Sequence, residues 1–266
     1  MFFNLGKKSN SSPSTIEKSV LLQGKVWNSF IDSSNELLIV ETRNEESLKV
    51  IFYTIDLNSN KIISSYEHHE NGWWLSLKYA FDGFFVLALL NEDSPLSKGV
   101  IIIDSKRSTI NWKNEDLSFL DGQRNQLMVK DATDECNRNL DIKNGQQIPF
   151  KEYDDKEITH PQRYIENTTY FEQTAVYIEQ LTKDNARECI EYLETDRLII
   201  CSYYKYEETN QSNHLIISDI DGNLLKSFNI QGKKKGIAYD NFTLYKDTLI
   251  FAINNEAINL LNLSLL

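Results

Sequence analysis

The chain has 266 residues, 41% of them apolar and 11% aromatic, which suffices to bury the core of one large domain. Its formal net charge of −11 argues against duplex nucleic acid and anionic membranes as partners, since both call for a basic surface. Cys136, Cys189 and Cys201 are odd in number and lack C-x-x-C spacing; Cys189 and Cys201 sit among apolar residues and read as reduced core thiols, which favours the cytoplasm.

In chain order, Met1–Leu5 carries a Met-Phe-Phe patch that is too short for a signal-peptide core and is followed, not preceded, by lysines. No apolar run approaches the ~18 residues of a membrane span, and Phe2 with no early cysteine leaves no lipid acceptor. Residues 1–15 read as a flexible tail and 16–266 as a single domain. Unit one is Val26–His68 and unit two is Trp73–Asn114, while unit three runs from Leu117 to about Phe150. The pattern then breaks. Thr169-Tyr-Phe-Glu172 matches a capping box with Thr169 as N-cap, and Phe171, Ala175, Ile178 and Thr182 share one helical face. The expectation is an amphipathic helix over Tyr170–Lys183, inserted between units three and four.

Unit four is the clearest. Cys189–Thr195 leads into an inner strand beginning at Asp196, His214–Asp219 is a second strand, and Asn223–Ile230 is a third after the turn Ile220-Asp221-Gly222. Asp-Gly between apolar runs marks a hairpin because the turn requires positive φ. Unit five, Gly236–Leu266, supplies three strands. Lys18–Lys25 echoes Lys226–Lys233, the outer strand of unit four, so the N-terminal segment Glu17–Gln23 is expected to be the missing outer strand of the last unit.

Two slots recur through these units. Asn35, Asp82, Asn125, Asp196 and Asp247 each open an apolar run, at spacings of 47, 43, 71 and 51. Asp56, Asp104, Asp141, Asp219 and Asn262 each close one, at spacings of 48, 37, 78 and 43. Asp and Asn suit these places because their side chains bond the local backbone and start turns. A period of roughly 40–50 residues with about four short strands marks a propeller blade. On this pattern, Ile16–Leu266 resembles the β-propeller superfamily and is similar to the uncharacterised bacterial propeller-like families called domains of unknown function. None of Trp27, Trp73, Trp74 and Trp112 is followed by Asp, so the WD repeat is absent, and there is no kelch Gly-Gly pair. The resemblance implies an all-β, five-bladed propeller, or six blades if the widest gap holds another unit. It carries no activity with it.

His68-His69-Glu70 followed by Trp73-Trp74 is the most unusual cluster and lies between units one and two. The histidines and Glu70 are possible metal ligands, and Trp73 or Trp74 a stacking surface for a ligand; adjacent strand histidines point to opposite sides, which disfavours a metal. A polar loop before a core aromatic pair is the plainer reading. Asp219-Ile-Asp-Gly222 lacks the ligand ladder of a calcium loop and reads as a turn, and Lys233-Lys234-Lys235 reads as a solvated loop in preference to an anion site. No nucleophile elbow, phosphate loop or H-E-x-x-H occurs. The sequence thus points to a monomeric, non-catalytic module that needs no cofactor or metal and binds a protein or a small molecule. Acids outnumber bases in the loops expected between second and third strands, among them 43–47, 131–138 and 205–213, so an acidic rim and a basic or cationic partner are expected. The alternative is a five-bladed glycoside hydrolase with two facing carboxylates.

Overall fold

The computed structural model describes residues 17–68, 72–91, 94–153, 157–207, 210–234 and 240–266. The expected tail, His69, Glu70 and Lys235 lie outside them, as do the side chains of Lys233 and Lys234. Strand β1 (Glu17–Leu21) comes first. Sheet I follows as β2 (Lys25–Asp32), β3 (Leu37–Asn44), β4 (Lys49–Asp56) and β5 (Lys61–Glu67), and sheet II as β6 (Leu75–Phe81), β7 (Phe84–Asn91), β8 (Ser94–Asp104) and β9 (Thr109–Asn114). Sheet III has β10 (Leu117–Gln123), β11 (Gln126–Asp131) and β12 (Asn137–Asp141). The two-residue β13 (Ile158–Thr159) precedes sheet IV, which comprises β14 (Gln162–Ile165), β15 (Arg187–Glu194), β16 (Leu198–Glu207), β17 (Asn210–Asp219) and β18 (Leu224–Lys234), with helix α1 (Thr169–Thr182) between β14 and β15. In sheet V, β19 (Phe242–Tyr245), β20 (Thr248–Ile253) and β21 (Ala257–Asn262) are flanked by β13 on one side and β1 on the other. All strand pairs are antiparallel, from β1 with β21 to β13 with β19.

The two sequence slots mark equivalent places in every sheet. Asn35, Asp82, Asn125, Asp196 and Asp247 stand in the hairpins before β3, β7, β11, β16 and β20, the second strand of each expected unit. In the tight turns, Asp82, Arg124 and Lys246 take left-handed φ of 55°, 51° and 51°, as a hairpin whose twist matches its strands requires. Asp56, Asp104, Asp141, Asp219 and Asn262 end β4, β8, β12, β17 and β21. Their Oδ1 atoms accept from the backbone N–H of Ser59 (2.6 Å), Arg107 (2.8 Å), Lys143 (2.9 Å), Asn223 (2.8 Å) and Ser264 (2.9 Å). The Ser59 N–H holds the Asp56 carboxyl below the usual range, and the side-chain amide of Asn223, together with its backbone N–H, does the same for Asp219. For Asp219 this is the expected turn.

The sheets pack face to face in the succession III, II, I, V, IV. Leu117, Leu127 and Val129 of sheet III meet Val86, Val100 and Ile102 of sheet II. Leu77 and Phe85 of sheet II meet Leu37, Ile39 and Phe52 of sheet I. Leu38, Val40 and Ile55, on the opposite face of sheet I, meet Ile250, Ile258 and Leu260 of sheet V. Leu249, Phe251 and Leu261 of sheet V meet Ile200, Leu215 and Ile217 of sheet IV. This alternation is the period of two that a strand buried on both faces must obey. Cys201, Tyr203 and Ile216 on the remaining face of sheet IV are covered by Phe171 and Ile178 of α1, and no core cluster among the described residues joins sheet III to sheet IV. Cys189 and Cys201 are buried free thiols; burial pushes them up to about 11 and about 12.

Several local expectations are corrected. The helix is one residue earlier than predicted: Thr168, extended at φ −107°, is the N-cap and accepts from Phe171 N, while Lys183 closes the helix in the left-handed region at φ 67°. Thr169 is already helical. The helix also falls inside sheet IV, because β14 pairs with β15 as an additional edge strand. The strand beginning near Asp196 is the middle strand of its sheet. Sheet III has three strands, and the isolated bridge between Leu140 and Gln147 is what remains of a fourth.

The N-terminal strand lies where the echo placed it, with Glu17 opposite Leu261 and Leu21 opposite Ala257. Val20 is buried and Leu22 packs beside it against sheet V, whereas Leu21 points to solvent. Starting the chain after Gly24 removes this pairing and exposes the β21 edge. We expect a loss of about 3–6 kcal/mol in urea unfolding relative to a chain starting after Ser14, from the burial of two aliphatic side chains. Equal midpoints for the two truncations would show that β1 is not part of the stable fold.

Candidate functional site

The strands β2, β6 and β10, which begin sheets I to III, together with β13 and β19, surround a cavity of about 710 Å³. A second cavity of about 430 Å³ lies toward the hairpins that follow β2, β6 and β10, and shares Ile31, Tyr79, Gly122 and Ile158 with the first. Gly122 is required here: a Cβ at this position would sit 2.5 Å from the Tyr79 ring. Tyr79 in turn donates from its hydroxyl to Arg124 O at 3.1 Å, bracing β6 against the hairpin of sheet III.

The wall between sheets I and II is built on a buried charge pair. Glu41 is fully buried on β3, and Arg43, two residues on, shares the same face of the strand. Arg43 Nε donates to Glu41 Oε1 at 2.7 Å, and its two terminal nitrogens donate to the carbonyls of Trp73 (2.8 Å) and Leu75 (2.7 Å). Glu41 Oε2 accepts from Leu77 N at 2.8 Å. Burial pushes the Glu41 carboxyl up, against the pull of the Leu77 N–H and the positive charges of Arg43 and Lys78. The guanidinium is sandwiched between the rings of Trp27 (5.0 Å) and Trp73 (5.2 Å). A parallel arrangement joins sheets IV and V: buried Glu191 accepts from the N–H groups of Asp240 (2.7 Å) and Asn241 (2.9 Å), and Arg163 lies 3.6 Å from both Glu191 and Asp240.

Of the residues singled out by sequence, Trp73 is engaged with Arg43 through ring and carbonyl, and His68 Nδ1 lies 2.8 Å from the Tyr66 hydroxyl. Trp74 is 37% exposed on the short 3-10 turn that precedes β6. Among the described residues no group of three His, Cys, Asp or Glu side chains is placed to hold a metal. Acids of the expected acidic rim are in ion pairs: Glu45 with Lys25 of β2 at 3.4 Å, Glu135 with Lys130 of β11 at 4.0 Å, and both Asp131 and Asp134 with Arg138.

Sequence reasoning did not single out Trp27, Lys78, Arg43 or Glu41 as a group. One signal was present: Trp27 stands where the alternation of β2 demands a solvent-facing residue, and a large aromatic is out of place there. The Glu41-Thr-Arg43 spacing places acid and base on one face, but only the neighbouring sheet reveals that this face is buried.

Five antiparallel sheets packed in succession, with the first strands of sheets I to III, sheet V and β18 of sheet IV around a common cavity, make the chain β-propeller-like. Residues 31–112, spanning most of sheets I and II, match a family model described as Domain of unknown function (DUF4905). No curated protein sequence matches the chain. Similar solved structures include Kluyveromyces lactis Hsv2 (9% identity, 86% of this chain and 71% of that one, TM-score 0.31). The β-propeller domain of the Trilobed protease from Pyrococcus furiosus is 10% identical over 87% of this chain and 64% of that one, with a TM-score of 0.34. Chaetomium thermophilum Raptor is 8% identical over 92% of this chain, which spans 28% of that one, with a TM-score of 0.37.

Truncation at the buried pair tests its structural role. Glu41→Ala leaves the Arg43 charge unmatched inside the I–II interface and should cost about 3–5 kcal/mol in urea unfolding. The double replacement Glu41→Leu with Arg43→Met should recover much of that loss, since an apolar pair of similar volume needs no compensation. A Glu41→Ala protein within 1 kcal/mol of wild type would show that the interface holds without the pair.

Proposed function

We propose that the chain is a non-catalytic five-bladed propeller module that binds a small ligand in the cavity walled by β2, β6, β10 and sheet V, with β1 completing the last blade. One observation carries this reading: about 710 Å³ of space is walled by several sheets, within the usual size of a ligand pocket. The acids facing that space are poorly suited to hydrolysis. A glycosidase needs a protonated acid whose pKa is raised by its surroundings, opposite a second carboxylate. Asp121 is exposed and accepts from Gly122 N at 2.8 Å, while Asp240 is exposed beside Arg163. The carboxyl raised by burial, Glu41, is enclosed by Arg43 and the Leu77 N–H and has no access to a substrate. In this reading Trp73 serves the site indirectly, by holding Arg43 against Trp27, and Trp74 offers a secondary contact beside it.

Small-molecule fragments screened for a rise in melting temperature test the proposal. Fragments that stabilise the wild-type protein should lose their effect in Ser29→Trp, which fills the cavity from the exposed side of β2. Turnover of p-nitrophenyl glycosides by the wild-type protein, abolished by Asp121→Asn or Asp240→Asn, would replace this reading with the hydrolase.

A further inference from the structure

Register shifts occur in several strands of the cavity wall, β10 and β18 among them, and those in β2 and β6 identify what it accepts. In β2 the pairing with β3 slips between Val26 and Asn28, so Trp27 is an extra, unpaired residue. In β6 the pairing with β7 slips between Leu77 and Tyr79, so Lys78 is the extra residue there. A bulge bends its strand and re-aims the side chain of the extra residue. The two bulges lie side by side, because Asn28 Nδ2 donates to Leu77 O at 3.1 Å across the seam between sheets I and II. Both extra residues line the cavity.

The chemistry of the two side chains is complementary. Trp27 is 63% exposed, and its indole N–H makes no hydrogen bond among the described residues. One face of the ring is occupied by the Arg43 guanidinium at 5.0 Å, which Glu41, two backbone carbonyls and Trp73 hold in place. With a fixed cation on one face and Lys78 nearby, the open face disfavours a second cation and suits a flat, electron-rich ring. Lys78 is half-buried and makes no hydrogen bond or ion pair among the described residues. Its charge acts on Glu41, which is already matched by Arg43. The cavity carboxylates are engaged elsewhere, Asp121 with Gly122 N and Asp240 with Arg163.

We propose that the cavity binds a planar anion: an aromatic or heteroaromatic ring stacked on the open face of Trp27, with its carboxylate, sulfonate or phosphate group paired to Lys78. This rests on the small-ligand reading of the cavity and assigns its chemical class. The probe pair is 1-anilinonaphthalene-8-sulfonate and N-phenyl-1-naphthylamine, which share a ring system and differ in the sulfonate. Fluorescence titration of the wild-type protein should show one saturable sulfonate site. Lys78→Met should weaken the sulfonate about tenfold or more, as expected for loss of a charge-assisted bond, and leave the neutral amine unchanged. Lys78→Arg should retain most of the affinity, and Trp27→Ala should weaken both probes. Melting temperature serves as the control for folding, and Lys78→Met, at a half-buried position with no hydrogen bond or ion pair among the described residues, should lie close to wild type. Equal binding of the two probes, both lost in Ser29→Trp, would overturn the anionic class and leave the cavity reading standing. Binding of neither probe, or binding unaffected by Ser29→Trp, would overturn both.

Discussion

A carboxylate cannot be buried without its charge being answered, and the fully buried Glu41 imposes that condition on the wall between sheets I and II. Its two oxygens have different partners, one the N–H of Leu77 on sheet II and the other Arg43 on its own strand. The guanidinium has further donors to satisfy, and it finds them in the carbonyls of Trp73 and Leu75. One acid therefore sets the approach of β3 to β6, the path of the turn at Gly72–Trp74 and the stacking of Trp27. Asp32 does similar work at the hairpin end of the same interface, accepting from the N–H groups of Asp82 (2.9 Å) and Gly83 (2.7 Å). Apolar burial supplies the attraction between the sheets; these directional bonds fix how they are aligned.

The parts of the fold legible in the sequence are those written in local chemistry. An Asp that bonds the backbone two to four residues on, as Asp104, Asp141 and Asp219 do, leaves its mark wherever a third strand ends. The placement of β1 was likewise readable, because the segment resembles another outer strand and sheet V needed one. What escaped depends on distant partners. Strand β13 is two residues whose identity as a strand comes from Leu244 and Tyr245, far along the chain. The N-cap differed by one position because Thr168 and Thr169 are the same residue, and only the backbone conformation separates them.

The cavity shows the same division. Turn chemistry and alternation can be counted along a chain, but a bulge is a property of two strands in register. Nothing in Lys25–Asp32 alone states that Trp27 faces no partner on β3, and nothing in Leu75–Phe81 states it for Lys78. The helix is intermediate: its apolar face was plain, yet its use as the cover of sheet IV, in the place where a neighbouring sheet packs elsewhere in the array, required the packing of Phe171 and Ile178 to be seen.

The pairing of Glu17 with Leu261 also has a meaning in time. Most strands here find their partners within a hairpin and can pair as soon as both have been synthesised. Strand β1 emerges ahead of every sheet but has no partner until β21 follows it, so one edge of sheet V waits for nearly the whole described chain. Contacts of such sequence separation form slowly, because the ordering of the intervening chain precedes the gain. The sheets between can assemble meanwhile by local pairing, leaving the docking of β1 as a late, long-range step that joins the first and last strands of the described residues.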